Sequence, residues 1–304
     1  MAKFNKTSLF LTLTFTISFS MVGLYHLFGG QYGNNISSTA LAIAYMFVPM
    51  FCAILVEKYI HKEKIKQKLL ISFKFNRWFL IAWFIPVILS FGALGISLLI
   101  PNVTFSPEMA GMVNRFNDLL TPEQVEQMEQ AFDSMPVHPI WLVLLQGLIA
   151  GPTINAIAGF GEELGWRGFL LKSYKYMKFP KASITIGFIW GIWHAPLILM
   201  GHNYPQHPEF GIIMMTIWCI LLTPLFLYIT LKAKSVLAAA IMHGTLNATA
   251  GIAIMVIEGG NDLTVGISGL SGFISLLIIL LALFIYDIKL SKEKIMTSKI
   301  SSSL

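Results

Sequence analysis

The sequence is poor in charge. Only 12% of its 304 residues are Asp, Glu, Lys or Arg, whereas soluble globular domains carry about 25%. Hydrophobic residues make up 56% of the chain. This composition excludes an ordinary soluble domain and indicates a protein that crosses a membrane several times.

Cysteine is also scarce, and no internal repeat at a fixed period is visible. The two cysteines, Cys52 and Cys219, both fall inside long apolar runs. Two such positions do not make a disulfide framework, so we expect two buried free thiols.

Long apolar runs occupy most of the chain. A transmembrane helix needs about 20 mostly apolar residues. Eight runs qualify, at 8–29, 39–57, 78–100, 140–160, 183–200, 211–231, 235–257 and 268–288. We therefore predict an all-α polytopic membrane protein with about eight transmembrane helices, forming a single transmembrane domain over 1–304. The first run is long for a signal peptide and no small-residue cleavage site follows it, so we expect it to be retained as a helix.

The basic residues predict the orientation. Every Lys and Arg except Arg115 and Arg167 precedes the first run or follows the second, fourth, sixth or eighth. Because basic residues concentrate in cytoplasmic loops, both termini are predicted to be cytoplasmic. The protein is then an integral, multi-pass membrane protein, of the plasma membrane if its source is bacterial. The net charge of +6 indicates contact with anionic membrane lipid, and no nucleic-acid partner is expected.

Segment 101–139 is the long extracytoplasmic loop. Its stretch "TPEQVEQMEQAF" has Thr121 as a candidate N-cap, Pro122 at the first helical position and Gln124 where a capping box would close. Apolar residues recur near helical spacing. We predict a short amphipathic helix on the outer membrane surface.

A few ionisable residues interrupt the apolar runs. Each costs about 2.5–3.5 kcal/mol on insertion scales, so such residues indicate function by default. They are Glu162, Glu163 and Arg167 near the end of the fourth run, His194 in the fifth, and His243 with Asn247 in the seventh. At about 1.5 Å per residue from the nearest lysines, Glu162, His194, His243 and Asn247 all lie roughly 14–20 Å deep. This shared depth predicts a single polar cavity.

The spacing suggests roles within that cavity. Glu163 and Arg167 are four residues apart and can form an ion pair. Glu162 points about 100° away around the helix and lacks a local cation, which suits a general base. His243 and Asn247 share one helix face and can direct two donors at an oxyanion. His194 could hold a water molecule against Glu162.

Each residue also has a structural interpretation. The Glu163–Arg167 pair can be purely structural, a histidine in a span can be an interhelical hydrogen bonder, and Asn247 can simply join helices. Trp190 and Trp193 are typical packing residues. His202 and His207 form a weak candidate metal site in an outer loop. Glu57 and Asp287, beside lysines, are predicted to lie at the membrane interface.

Three motifs in this order resemble the CPBP family, which groups type II CAAX prenyl endopeptidases with bacteriocin-processing and immunity-type membrane proteases. They are "EELGWR" from Glu162 to Arg167, "WGIWH" from Trp190 to His194, and "HGTLN" from His243 to Asn247. Trp190 stands where the family usually has phenylalanine. The resemblance covers residues 140–255, which are predicted to be the catalytic core helices.

The resemblance implies an intramembrane endopeptidase acting on a membrane-associated or lipidated peptide or protein. Glu162 and His194 would activate water, and His243 and Asn247 would stabilise the oxyanion. Glu163, Arg167 and Trp190 would support the site. Members are often labelled metalloproteases, and Glu162, His194 and His243 are candidate zinc ligands. No His-Glu-x-x-His run is present, and the same residues also fit a metal-free mechanism without a cofactor.

Two other functions remain open at the sequence level. A proton-coupled transporter could use buried Glu and His, although matching broken helices in two halves are absent. A non-catalytic immunity or scaffold protein could retain the same motifs.

Overall fold

The computed structural model describes residues 5–33, 36–109, 111–113 and 122–304. In chain order its main helices are α1 (Lys6–Leu27), α2 (Ile36–Ile60), α3 (Arg77–Ser97), α4 (Pro122–Asp133), α5 (Pro139–Ser173), α6 (Phe179–Trp193), α7 (Ala195–Leu199), α8 (Pro208–Ala233), α9 (Val236–Met255) and α10 (Leu270–Lys289). Within the described ranges, seven of these are long and apolar enough to cross a membrane, namely all except α4, α6 and α7. The predicted all-α polytopic membrane protein is confirmed.

The predicted span 183–200 is broken rather than continuous. Helix α6 has 15 residues, or about 22 Å, which is short for a membrane crossing. It ends at His194, and α7 follows with Pro196 in its first turn. Proline has no N–H for the preceding helical turn and disfavours helical geometry in the residue before it, which explains the break. The eight predicted spans thus correspond to seven long helices and this broken pair.

The lysine-rich segments meet at one end of the molecule, here called the basic end. Lys6 at the start of α1 lies 3.0 Å from a Glu57 carboxylate oxygen near the end of α2. The Ser301 N–H donates to the Lys175 carbonyl at 2.7 Å, and the Phe179 N–H donates to the Ser298 carbonyl at 2.9 Å. These contacts place the segments after α2, α5 and α10 on the same side, as the charge pattern predicts.

Loops at the opposite end of the molecule also contact one another. We call this the acidic end because Glu258 and Asp262 lie there. Strand β1 (Thr104–Phe105) pairs antiparallel with β2 (Ile257–Glu258), which adds a two-residue ladder to the all-α fold. The His207 ring lies 2.6 Å from an Asp262 oxygen, and the Tyr204 hydroxyl donates to the Ser268 carbonyl at 2.7 Å. The segment 257–268, which includes β2, therefore contacts both β1 and the loop between α7 and α8.

Glycines let the motif-bearing helices approach closely. A Cβ on Gly244 of α9 would lie 2.3 Å from the Gly151 carbonyl oxygen and 2.4 Å from the Ala156 nitrogen, both on α5. A Cβ on Gly191 of α6 would lie 2.5 Å from Thr216 Cα on α8. Small residues at such crossings allow backbone contact between membrane helices, so Gly244 allows α9 to approach α5 and Gly191 allows α6 to approach α8.

Two further sequence predictions can be compared with the fold. Helix α4 is described from Pro122 onward, while Thr121 and Arg115 lie outside the described residues, so its predicted N-cap stays a prediction. The placement of Asp287 at the membrane interface stays a prediction, but the sequence did not indicate the contacts that this residue makes. Its side chain is fully buried and accepts hydrogen bonds from Tyr228, at 3.0 Å, and from the N–H groups of Ile295 and Met296. A turn after α10 therefore folds back onto the carboxylate.

Candidate active site

Four polar residues of the three motifs line one cavity of about 350 Å³. Glu162 comes from α5, His194 from the end of α6, and His243 and Asn247 from α9. The structure thus brings together the four residues that were grouped by depth.

Glu162 is held by a tryptophan. Its side chain is 2% exposed, and one carboxylate oxygen accepts a hydrogen bond from Trp190 Nε1 at 2.8 Å. The other oxygen lies 3.9 Å from His243 Nε2. Trp190 is therefore more than a packing residue, because its indole N–H fixes the candidate base.

Glu163 joins α5 to α9. Its Oε1 lies 3.0 Å from Arg167 Nη1, so the ion pair expected from the spacing is present. The same oxygen lies 2.8 Å from His243 Nδ1. Sequence reasoning missed this second contact because its partners are 80 residues apart. Glu163 therefore orients His243 as well as balancing the arginine.

Arg167 is completely buried among aromatic rings. Its guanidinium carbon lies 4.1 Å from the Trp190 ring centroid and 4.4 Å from that of Phe226. Nη2 also donates to the Thr223 hydroxyl at 3.3 Å. Stacking and one carboxylate partner compensate a buried cation, so Arg167 lies in the wall behind the cavity.

The break between α6 and α7 orients His194. The backbone N–H of His194 donates to Gly191, and its ring Nδ1 lies 2.8 Å from the Trp190 carbonyl oxygen. A carbonyl can only accept, so Nδ1 carries a proton and Nε2 of the neutral ring has a free lone pair. Trp190 therefore positions Glu162 through its side chain and His194 through its backbone.

Asn247 lies one turn beyond His243 on α9. Its side chain is exposed and lines the cavity. The amide group is therefore accessible to a molecule in the cavity without any rearrangement of α9.

A family comparison covers this part of the chain. The family described as type II CAAX prenyl endopeptidase Rce1-like matches residues 136–249, which include all three motifs. Among curated proteins, "CAAX prenyl protease 2" from Methanococcus maripaludis is 35% identical over 102 residues, which is 30% of this chain and 36% of that protein. The chain thus matches about a third of the length of this curated relative.

His202 also lines the cavity, although the sequence placed it only in a weak candidate metal site in an outer loop. It lines the cavity beside Asn203, and its Nδ1 lies 2.8 Å from the Tyr32 hydroxyl. Burial lowers the pKa of His202 to about 4, so the ring is neutral near pH 7. His207 instead pairs with Asp262 and does not line the cavity. The sequence could not predict which of the two histidines lines the cavity, because residues in an irregular loop follow no helical periodicity.

The cavity extends toward the acidic end. Ser268, His202 and Asn203 come from loops at that end and form part of its lining. Tyr45 and Met46 of α2 line its side, while none of its lining residues is a lysine. A molecule entering the cavity along this lining approaches from the acidic end.

The candidate zinc ligands do not form a metal site in the described geometry. Across residues 5–33, 36–109, 111–113 and 122–304, no group of three or more His, Cys, Asp or Glu side chains is arranged to hold a metal ion. His243 Nδ1 is bonded to Glu163, so Nε2 is the ring nitrogen that faces the cavity. Glu162, His194 and His243 are thus not grouped as metal ligands among the described residues, and the mechanism proposed for this site uses no metal.

Proposed function

We propose that this protein is an intramembrane endopeptidase that hydrolyses a peptide bond in a membrane-associated or lipidated peptide. One observation carries the proposal. Glu162, His194, His243 and Asn247, from three separate helical segments, line a single cavity inside the segment matched by the Rce1-like family.

Water activation is assigned to Glu162 and His194. Glu162 is a buried carboxylate that accepts a hydrogen bond from an indole N–H and lies 3.9 Å from an imidazole nitrogen. His194 has a free Nε2 lone pair, because its Nδ1 is bonded to a carbonyl. Two acceptors facing one cavity can hold a water through both of its hydrogens, which directs an oxygen lone pair at the substrate carbonyl.

Oxyanion stabilisation is assigned to His243 and Asn247. The Asn247 amide supplies a neutral donor. His243 Nδ1 donates to Glu163, so a donor at Nε2 requires the doubly protonated ring. In that form His243 is a cation flanked by two carboxylates, and its Nε2–H can stabilise negative charge on the carbonyl oxygen.

The hydrolysis requires no reactant other than water and the peptide, with Glu162 carrying the proton. The water oxygen bonds to the carbonyl carbon while Glu162 takes a water proton. The tetrahedral intermediate then collapses, the C–N bond breaks, and Glu162 returns the proton to the leaving nitrogen. The products are a carboxylic acid and an amine. Trp190, Glu163 and Arg167 hold the reacting groups in place and supply no atoms.

The test uses purified full-length protein and a library of short peptides, prenylated, acylated or unmodified. We expect cleavage by the wild type and by Glu209→Ala, a carboxylate of α8 outside the cavity lining. Glu162→Ala and His194→Ala should each abolish cleavage. Cleavage that survives both substitutions would overturn the proposed site.

Further arms separate the alternatives. Equal rates with and without a chelator support the metal-free route, and loss of cleavage that zinc restores supports a metalloprotease. Peptide transport without any cleavage would favour a transporter. Tight peptide binding without cleavage by any variant would favour an immunity or scaffold protein.

A further inference from the structure

A second cavity, of about 620 Å³, lies at the basic end of the molecule. Its lining includes four lysines from separate parts of the chain. They are Lys6 of α1, Lys68 before α3, Lys172 at the end of α5, and Lys175 just beyond it. We call this cavity the lysine pocket. The lysine pocket is separate from the candidate active site. Along α5, Lys172 follows Glu162 by ten residues, which corresponds to about 15 Å.

Only part of this positive charge is balanced. Lys6 lies 3.0 Å from Glu57 and 3.8 Å from Glu63, and Lys68 lies 3.5 Å from Glu63. Throughout the described ranges, no carboxylate oxygen lies within 4 Å of the Lys172 or Lys175 ammonium. Two of the four lysines are therefore available to a bound anion.

Lys172 also faces like charge. Its ammonium interacts electrostatically with those of Lys175 and Lys68, and both Lys172 and Lys175 are partly buried. Repulsion between partly buried cations is weakly screened by water, so an anion placed between them gains more than one on an open surface.

Aromatic side chains place the pocket at the level of lipid headgroups. Tyr176 lines the pocket and is 73% exposed, and Tyr59 on α2 is 63% exposed. The Lys175 ammonium lies 4.9 Å from the Tyr176 ring centroid. Exposed tyrosines beside lysines are typical of the membrane–water interface. The anion nearest to such a pocket is the phosphate of a membrane lipid.

We propose that the lysine pocket binds the phosphate group of an anionic phospholipid, paired with Lys172 and Lys175. The Ser173 and Ser301 hydroxyls in the lining supply neutral donors to the remaining phosphate oxygens. The acyl chains lie outside the pocket, along the apolar surface of the helices. This site is independent of peptide hydrolysis.

A bound phosphate would also connect separate segments. The C-terminal turn reaches the pocket through hydrogen bonds of the Ser301 N–H to Lys175, 2.7 Å, and of the Ile300 N–H to Met177, 3.1 Å. A ligand that pairs with α5 and contacts this turn stabilises the native state by mass action. Lipid binding should therefore raise the unfolding temperature.

The experiment measures lipid binding to purified full-length protein in neutral detergent. The probe is phosphatidylglycerol, followed by native mass spectrometry and by the shift in Tm. The pocket variant is Lys172→Gln/Lys175→Gln. The control is Lys289→Gln/Lys292→Gln, which removes the same charge from exposed positions at the basic end. We expect the pocket variant to bind on the order of 10-fold more weakly and to lose the Tm shift, while the control stays within about twofold of wild type.

Competition with glycerol phosphate and inorganic phosphate tests whether the ligand is a lipid. A soluble phosphate that displaces phosphatidylglycerol at equal concentration would assign the site to a free phosphate ligand instead. If the double variant does not fold, Lys175→Gln alone is compared with Lys292→Gln. Equal loss of lipid binding in pocket and control variants would overturn the proposal.

Discussion

Glu162 and Glu163 are neighbours in the chain but have different partners. Glu162 meets the indole N–H of Trp190 and faces the cavity. Glu163 is fully buried and holds both Arg167 and His243. The proposed division into a reacting and a supporting carboxylate therefore predicts opposite effects for two otherwise identical substitutions.

Glu162→Gln should remove activity and preserve the fold. The amide oxygen can still accept from Trp190, but it cannot take a proton from water, and general-base catalysis contributes about 10²–10⁴ in rate. Cleavage rates and thermal unfolding in detergent, measured side by side, check this. A variant with wild-type kcat would remove Glu162 from the proposed chemistry.

Glu163→Gln should destabilise the protein. Arg167 is completely buried, and removing one partner of a buried pair costs about 3–5 kcal/mol. Glu163→Gln/Arg167→Met removes both charges and should recover part of the lost unfolding free energy. Chemical unfolding of the two variants gives the comparison. A double variant less stable than the single one would contradict the role given to the pair.

Asn247→Ala should lower kcat by about 10²–10³, the usual cost of losing one oxyanion donor. The Asn247 side chain is exposed, so the unfolding temperature should stay close to wild type and serves as the control. An unchanged kcat with a raised KM would assign the amide to substrate binding instead.

At the residue scale, the sequence predicted which polar residues come together better than it predicted their individual contacts. The cost of burying charge singled out Glu162, Glu163, Arg167 and His194 without any structure. The Glu163–His243 contact depends on how α5 crosses α9, and the position of His202 depends on a loop held by Tyr32. Neither follows from periodicity along one helix.

At the scale of elements, the clearest difference from expectation is the break between α6 and α7. Hydropathy detects an apolar run across 183–200 because α6 and α7 are both apolar. It does not detect that Pro196 ends the helical path near His194. The sequence also predicted a helix in the long outer loop, and α4 is helical over Pro122–Asp133.

The α5–α9 crossing should be sensitive to one methyl group. In Gly244→Ala the added Cβ would meet the Gly151 carbonyl oxygen and the Ala156 nitrogen, backbone atoms that cannot rotate away. We expect α9 to shift and carry His243 with it, lowering activity by at least 10-fold, since about 1 Å of misplacement can cost about 10² in rate.

Gly95→Ala is the matched control, because a Cβ there has nothing within 4 Å. It should leave cleavage and unfolding unchanged, or slightly favour the helix. Full activity in Gly244→Ala would show that the crossing is adjustable.

At the scale of the whole molecule, charge and cavity are separated. Lysines gather at one end, and the candidate active-site cavity reaches residues of the other. The sequence predicted the two ends from charge alone, because the basic clusters precede the first apolar run or follow an even-numbered one. The direction in which the cavity extends could not be predicted, since it depends on loops that contribute His202 and Ser268.

Thiol labelling can place these ends relative to a membrane. Cys52 and Cys219 are buried, so the native background should be low. With a membrane-impermeant maleimide on sealed right-side-out vesicles, Ser268→Cys at the cavity lining should react. Ser301→Cys at the basic end should react only in inverted vesicles. The reverse pattern would contradict the predicted orientation with cytoplasmic lysines.

Trp190 has a final consequence for motion within the site. Its indole holds Glu162 and its carbonyl holds His194, so both groups proposed to bind water contact the same residue. A displacement of Trp190 would therefore disturb both contacts at once. On the opposite wall, His243 of α9 is bonded to Glu163 instead. The two sides of the cavity are therefore held by different residues, Trp190 on one side and Glu163 on the other.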